Sequence, residues 1–167
     1  PALLTRAVKR MHAGGGTRLY DALYFVVQNK FNGPDARKVI VLITDGDDKS
    51  SRRSPQDVVD LARRNNVSIY AISMNAVGTV REGADRSDEI LRMLASETGG
   101  DGFFPKKLEK LASNFERIAE ELRSQYTIGY RSTNQQRDGT FRQIRIEMKK
   151  PHYSVRTRPG YYAAKTG

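Results

Sequence analysis

The 167-residue chain has no cysteine and only two histidines, His12 and His152. Without thiols it forms neither disulfides nor thiolate zinc sites, and cysteine nucleophiles are excluded with them. Neither histidine lies near a candidate nucleophile in sequence, so a Ser-His-Asp arrangement has no support. No apolar run approaches the about eighteen residues needed to cross a bilayer, and Pro1-Ala2-Leu3-Leu4-Thr5-Arg6 lacks the basic-then-apolar layout of a signal peptide. Internal repeats and low-complexity tracts are missing too. Acids are scarce in one region: residues 125–167 hold nine Lys/Arg against Asp138 and Glu147, a local charge of +7 out of +10 for the chain. A basic segment of this kind can meet phosphate, anionic lipid or an acidic protein, or be a solvated strand face.

What is present is a chain long enough for one domain with a real core, at 38% hydrophobic residues. Its centre of gravity is Lys38 to Asp48. The unbroken branched run Val39-Ile40-Val41-Leu42-Ile43 leaves no polar side and predicts a strand buried on both faces of a parallel sheet. It ends in the acidic turn Thr44-Asp45-Gly46-Asp47-Asp48, at the carboxyl end where open α/β sheets place their ligands. Asp47 and Asp48 read as solvated loop acids and Asp21 as a dipole-complementing residue of the preceding helix.

Around that strand the periodicities are regular. Leu3, Leu4, Ala7, Val8 and Met11 predict an amphipathic opening helix, broken at Ala13-Gly14-Gly15-Gly16-Thr17. Leu19, Leu23, Val26 and Val27 predict a second helix to about Phe31, with Thr17 as its cap. Asn32 to Asp35 is a turn. Ser54-Pro55-Gln56-Asp57 is a strong helix start for a helix to about Asn65, followed by a strand over Val67–Ser73. A loop over 75–86 precedes a helix capped by Ser87-Asp88-Glu89 and stopped by Gly99-Gly100; Gly102–Pro105 is a short third strand, and residues 107–124 hold a further helix. Beyond it, Tyr126/Ile128/Tyr130, Ile144/Ile146/Met148 and Tyr153/Val155 alternate with polar residues, predicting a basic three-stranded antiparallel appendage with turns at Asp138-Gly139 and Lys150-Pro151-His152.

Gly15-Gly16-Thr17 opening a helix with Leu19-Tyr20-Asp21-Ala22-Leu23, then Val39 to Asp48, then Val67 to Ser73, is similar in residues and order to the von Willebrand factor type A (VWA) domain over residues 13–124. The tail, with Gln125 to Tyr130 and Phe141 to Tyr162, resembles the VWA-related proteins found in Acidobacteria. The resemblance implies a doubly wound three-layer α/β fold over residues 1–124 with a β appendage over 125–167. It also implies a non-enzymatic adhesion-type module holding Mg²⁺ or Mn²⁺, with Thr17 a direct ligand, Asp45 a ligand through water, and a carboxylate of a protein partner completing the coordination. Hydroxyl, carboxylate and water suit Mg²⁺, which prefers six oxygens. Gly16 and Gly46 let the backbone pass close to that site.

The family's Asp-x-Ser-x-Ser motif does not occur here. The expectation is therefore a C-terminal portion of the domain, with metal held weakly or not at all by this chain alone. The bare edge of the Val39–Ile43 strand would be covered by the remaining N-terminal half or by a second copy. Localisation outside the cytoplasm rests on the resemblance alone. The alternative function is a basic-surface binder of nucleic acid or an anionic polymer or membrane, through Arg142, Arg145, Arg156 and Arg158.

Overall fold

The structure is a computed structural model describing residues 2–10, 16–31, 37–77, 83–150, 152–153 and 155–165. The expected turns at Gly14-Gly15, Asn32–Asp35 and Pro151, as well as His12 and residues 78–82 of the 75–86 loop, lie outside the described residues. In chain order the elements are α1 (Ala2–Lys9), α2 (Leu19–Lys30), β1 (Lys38–Thr44), α3 (Pro55–Arg64), β2 (Val67–Ser73), α4 (Ala84–Thr98), β3 (Gly102–Phe103), α5 (Lys110–Ser124), β4 (Phe141–Gln143) and β5 (Gly160–Tyr162).

Strands β1, β2 and β3 form a parallel sheet in that order. Lys38 pairs with Val67 and Thr44 with Ser73, while Ile72 pairs with Phe103. Because side chains alternate across a strand, β2 divides the core in two. Val67, Ile69 and Ala71 pack with α2, α3 and α4 through Leu23, Val27, Val58, Val59, Leu91 and Leu94. Tyr70 and Ile72 face the other way, against Phe103 and the α5 residue Ile118. Helices on both faces of a parallel sheet make the expected three-layer α/β architecture.

The strand buried on both faces is β2, not β1. Strand β1 has no further strand beside it among the described residues, and its two faces fare differently. Ile40 and Leu42 join the core beneath α2–α4. On the α5 side only Val39 is packed, against the cluster of Tyr70, Ile72, Phe103 and Ile118, and Arg37 Nη1 donates to the Leu122 carbonyl at 2.8 Å. That contact seats the end of α5 over the start of β1. Val41 and Ile43 are left 39% and 51% exposed.

Two helix boundaries were legible and two were not. Ser54 and Asp57 form the anticipated capping box, Ser54 N–H to Asp57 Oδ2 at 2.8 Å and Asp57 N–H to Ser54 Oγ at 3.1 Å. Helix α4 stops at Gly99, whose φ of 81° is the left-handed conformation glycine adopts without strain. Helix α4 begins before Ser87, however, since Ser87 N–H already bonds the Gly83 carbonyl. Helix α2 has Arg18 rather than Thr17 at its N-cap, and Arg18 makes no side-chain cap bond.

The C-terminal region departs most from its pattern. Phe141 pairs with Tyr162 and Gln143 with Gly160 in an antiparallel ladder. The alternating segments Tyr126–Tyr130, Ile144–Met148 and Tyr153–Val155 are outside it. Alternation marks a strand's faces and not its partner; here the backbones meet where Gly160 has no side chain, a Cβ there falling 2.2 Å from the Arg142 carbonyl oxygen. The Phe141 and Tyr162 rings meet edge to face at 5.2 Å, and Arg63 and Arg64 of α3 lie over them.

Candidate functional site

At the carboxyl edge of the sheet, β1 runs into the acidic turn. Gly46 N–H donates to Thr44 Oγ1 at 3.0 Å, and Asp47 N–H to Asp45 Oδ1 at 3.2 Å. Gly46 has a φ of 73°, and a Cβ there would lie 3.0 Å from Ser87 Cβ of α4. Conformation and space both call for glycine. The turn is thereby pressed against the first turns of α4, with Asp45 and Asp47 half-buried and Lys49 paired to Asp47 at 3.2 Å.

Asp48 does the work expected of Thr17. Its Oδ2 accepts the N–H of Tyr20 at 3.0 Å in the first turn of α2, and the Ser51 hydroxyl at 2.6 Å. Its Oδ1 accepts the N–H groups of Ser50 and Ser51. Ser51 Oγ in turn accepts the Asp21 N–H, and the Asp21 carboxylate accepts the N–H groups of Arg52 and Arg53, all at 3.0 Å. The free donors of α2 are thus capped by a loop about thirty residues downstream, and that loop is tied back to α2. Burial pushes the Asp48 carboxyl up, but the Ser51 hydroxyl and the Tyr20, Ser51 and Ser50 amides outweigh it and hold it below the usual range. Burial, with the Asp48 charge beside it, raises the Tyr20 phenol.

The same clamp brings the Gly16-Thr17 segment to the turn. Lys49 N–H donates to the Thr17 carbonyl at 3.3 Å, and Gly16 lies against Ser50. Thr17 is exposed. A second polar knot lies at the end of β2: Ser73 Oγ donates to Asp88 Oδ1 at 2.6 Å, and Asn75 Nδ2 donates to the same oxygen at 2.8 Å and to the Ala84 carbonyl. Ser73 and Asn75 are buried, so the knot fixes α4, and with it the wall against Gly46. Sequence reasoning missed Asp88 and Asn75 in this role; the signal was a serine closing an otherwise apolar strand.

As to a metal, Thr17 and Asp45 supply the hard oxygen donors that Mg²⁺ takes, but Asp48 already accepts four hydrogen bonds. Among the described residues no three His, Cys, Asp or Glu side chains converge on a possible metal position. Two donors are too few, so any cation there needs ligands from outside these residues or from water.

The four arginines named for the alternative reading, Arg142, Arg145, Arg156 and Arg158, do not form one surface. Arg156 bridges Asp101 at 2.8 Å and Glu121 at 2.6 Å, and Arg158 bonds the side chain of Asn66. Arg142 reaches the Asn134 and Gln136 carbonyls and Asp138, while exposed Arg145 pairs with Glu147 at 2.9 Å.

Among solved structures the chain is similar to an uncharacterized membrane-spanning protein from Vibrio fischeri, at 21% identity with a TM-score of 0.46. The match covers 71% of this chain and 65% of that one, so the chain spans under two thirds of that protein's length. No curated protein matches. The family model of the von Willebrand factor type A domain matches residues 2–125, from α1 through the parallel sheet and its acidic turn to the end of α5, and the chain belongs to that family.

Proposed function

We propose that the chain is a non-enzymatic protein-binding module in which Thr17 and Asp45 contribute to a divalent-cation site that engages an acidic group on a partner. VWA domains are in general interaction modules rather than enzymes, and they often bind Mg²⁺ or Mn²⁺. The observation that carries the reading is the clamp: a turn shaped around Gly46 and tied through Lys49 to the Thr17 carbonyl keeps two oxygen-donor residues at one sheet edge. Gly16 and Gly46 leave the backbone room there.

The missing ligands arrive on a strand laid beside β1. Its open edge, with Val41 and Ile43 exposed, is a template for pairing. A parallel neighbour ends at the same carboxyl edge as Thr44, so donors at its tip reach the acidic turn. The strand comes from the rest of the same protein or from a second copy, and the bound cation takes up the partner's carboxylate as a ligand.

The test is titration of Mn²⁺ into the 167-residue chain, alone and supplied with a strand ending in Asp-x-Ser-x-Ser. Tight binding is expected only with the strand, and Asp45→Ala abolishes it. Unchanged affinity in Asp45→Ala overturns the reading. The alternative of a basic nucleic-acid surface predicts binding that falls steeply with salt and ignores EDTA; Arg142, Arg156 and Arg158, already engaged within the chain, support it poorly.

A further inference from the structure

Away from the acidic turn, on the far side of β3, a cavity of about 540 Å³ opens between the β3–α5 connection and the first turns of α5. Its lining carries four cationic side chains, Lys106, Lys107, Lys110 and Arg117, and no acid. Elsewhere along α5 the basic Arg123 stands close to the acids Glu120 and Glu121. Here the connection is fixed in place: Lys110 N–H bonds the Lys107 carbonyl at 3.1 Å, and Leu111 N–H the Leu108 carbonyl at 2.9 Å. Arg117 lies over the Phe103 ring at 5.0 Å, which limits where its guanidinium can swing. None of the four makes an ion pair among the described residues.

The second observation is Asn114. It is 9% exposed, it lines this cavity, and its side-chain amide has no hydrogen-bond partner among the described residues. Its amide is not sealed from solvent, so a molecule in the cavity can reach it.

We propose that this cavity binds the phosphate of a small-molecule phosphomonoester. A dianion is matched in charge by clustered lysines and an arginine, with the guanidinium fork and the Asn114 amide donating to its oxygens. The remaining wall includes Phe104 and suits an apolar or aromatic body, and the volume lies within the range of small-ligand sites. The site is independent of the metal reading.

The probe is adenosine monophosphate, titrated at constant ionic strength and followed by calorimetry and amide chemical shifts. Saturable binding is expected, with shifts confined to residues 102–117, displaced by inorganic phosphate and weaker by about tenfold for adenosine. Exposed Arg117→Gln weakens it by about tenfold, Asn114→Leu weakens it while leaving the remaining amide shifts in place, and Arg145→Gln leaves it unchanged. Three results overturn the proposal: no saturable binding, an equal response in Arg117→Gln and wild type, or binding to phosphatidic acid vesicles without binding to adenosine monophosphate, which would assign the cavity to a lipid headgroup.

Discussion

The α/β unit and the C-terminal region use apolar residues in opposite ways. In β2, α3 and α4 the residues that recur at strand or helix spacing are the buried ones, and Ile69, Val58 and Leu91 are closed off from water entirely. In the C-terminal region Tyr126, Ile128 and Tyr130 recur as regularly and are 92%, 67% and 59% exposed. That region is attached through polar and cationic contacts: Arg156 to Asp101 and Glu121, the Tyr162 hydroxyl to Asp60 at 2.9 Å, and Arg63 and Arg64 over its two paired rings. The first region is held by the hydrophobic effect, which scales with area and is not screened by salt as charge contacts are. The second is held by charge and ring contacts, each worth little.

The largest effect that separates them is a core truncation. Leu91→Ala opens a cavity beneath Gly46 and is expected to cost about 3–5 kcal/mol in urea unfolding, whereas Tyr126→Ala is expected to cost less than about 0.5 kcal/mol. Comparable losses would mean that the exposed tyrosine packs in solution, and the contrast would fall.

The same contrast explains what could be read from residues alone. Where burial decides, pattern and structure agree: β2 runs over Val67–Ser73 as its composition indicates, and Ser54-Pro55-Gln56-Asp57 starts α3 because every partner of a capping box lies within four residues. Where the partner is remote, the pattern is silent. Thr17 stands where a cap belongs, but the cap comes from Asp48, and no local signal marks an aspartate that reaches a helix 28 residues earlier. Likewise Asp88 reads as a helix-start acid, yet its partners are Ser73 and Asn75 on the neighbouring strand. Alternation in the C-terminal region announces strands; which of them pair depends on Gly160 and on α3, which alternation does not encode.

A middle-sized effect lies at the seam between the two behaviours, in the polar clamp on the α/β unit. Asp48→Ala removes the acceptor for Tyr20, Ser50 and Ser51 and is expected to cost about 1–2 kcal/mol at neutral pH. Because the folded-state carboxyl is held below its ordinary value, its contribution is full above the unfolded carboxylate range and is lost as pH falls through the folded value. The stability gap between wild type and Asp48→Ala should therefore close on acidification. A gap that stays constant into acid would show that the carboxylate charge is immaterial to the clamp.

The smallest expected effect is the sharpest test of how the C-terminal region is held. Arg156 is about half exposed, and ion pairs of that kind contribute at most about 1 kcal/mol, so Arg156→Gln should barely move global unfolding. It should instead raise amide exchange locally, at Ile144 and Ala163, whose N–H groups bond the Pro159 and Thr140 carbonyls, while Ile69 and Ala71 stay protected. Molar salt, which shortens electrostatic reach to about 3 Å, should move the wild type toward the variant. If exchange at β2 rises in step with exchange at Ile144, the two regions open as one cooperative unit, and the charged contacts are part of the same fold that Leu91 holds together rather than a separate attachment to it.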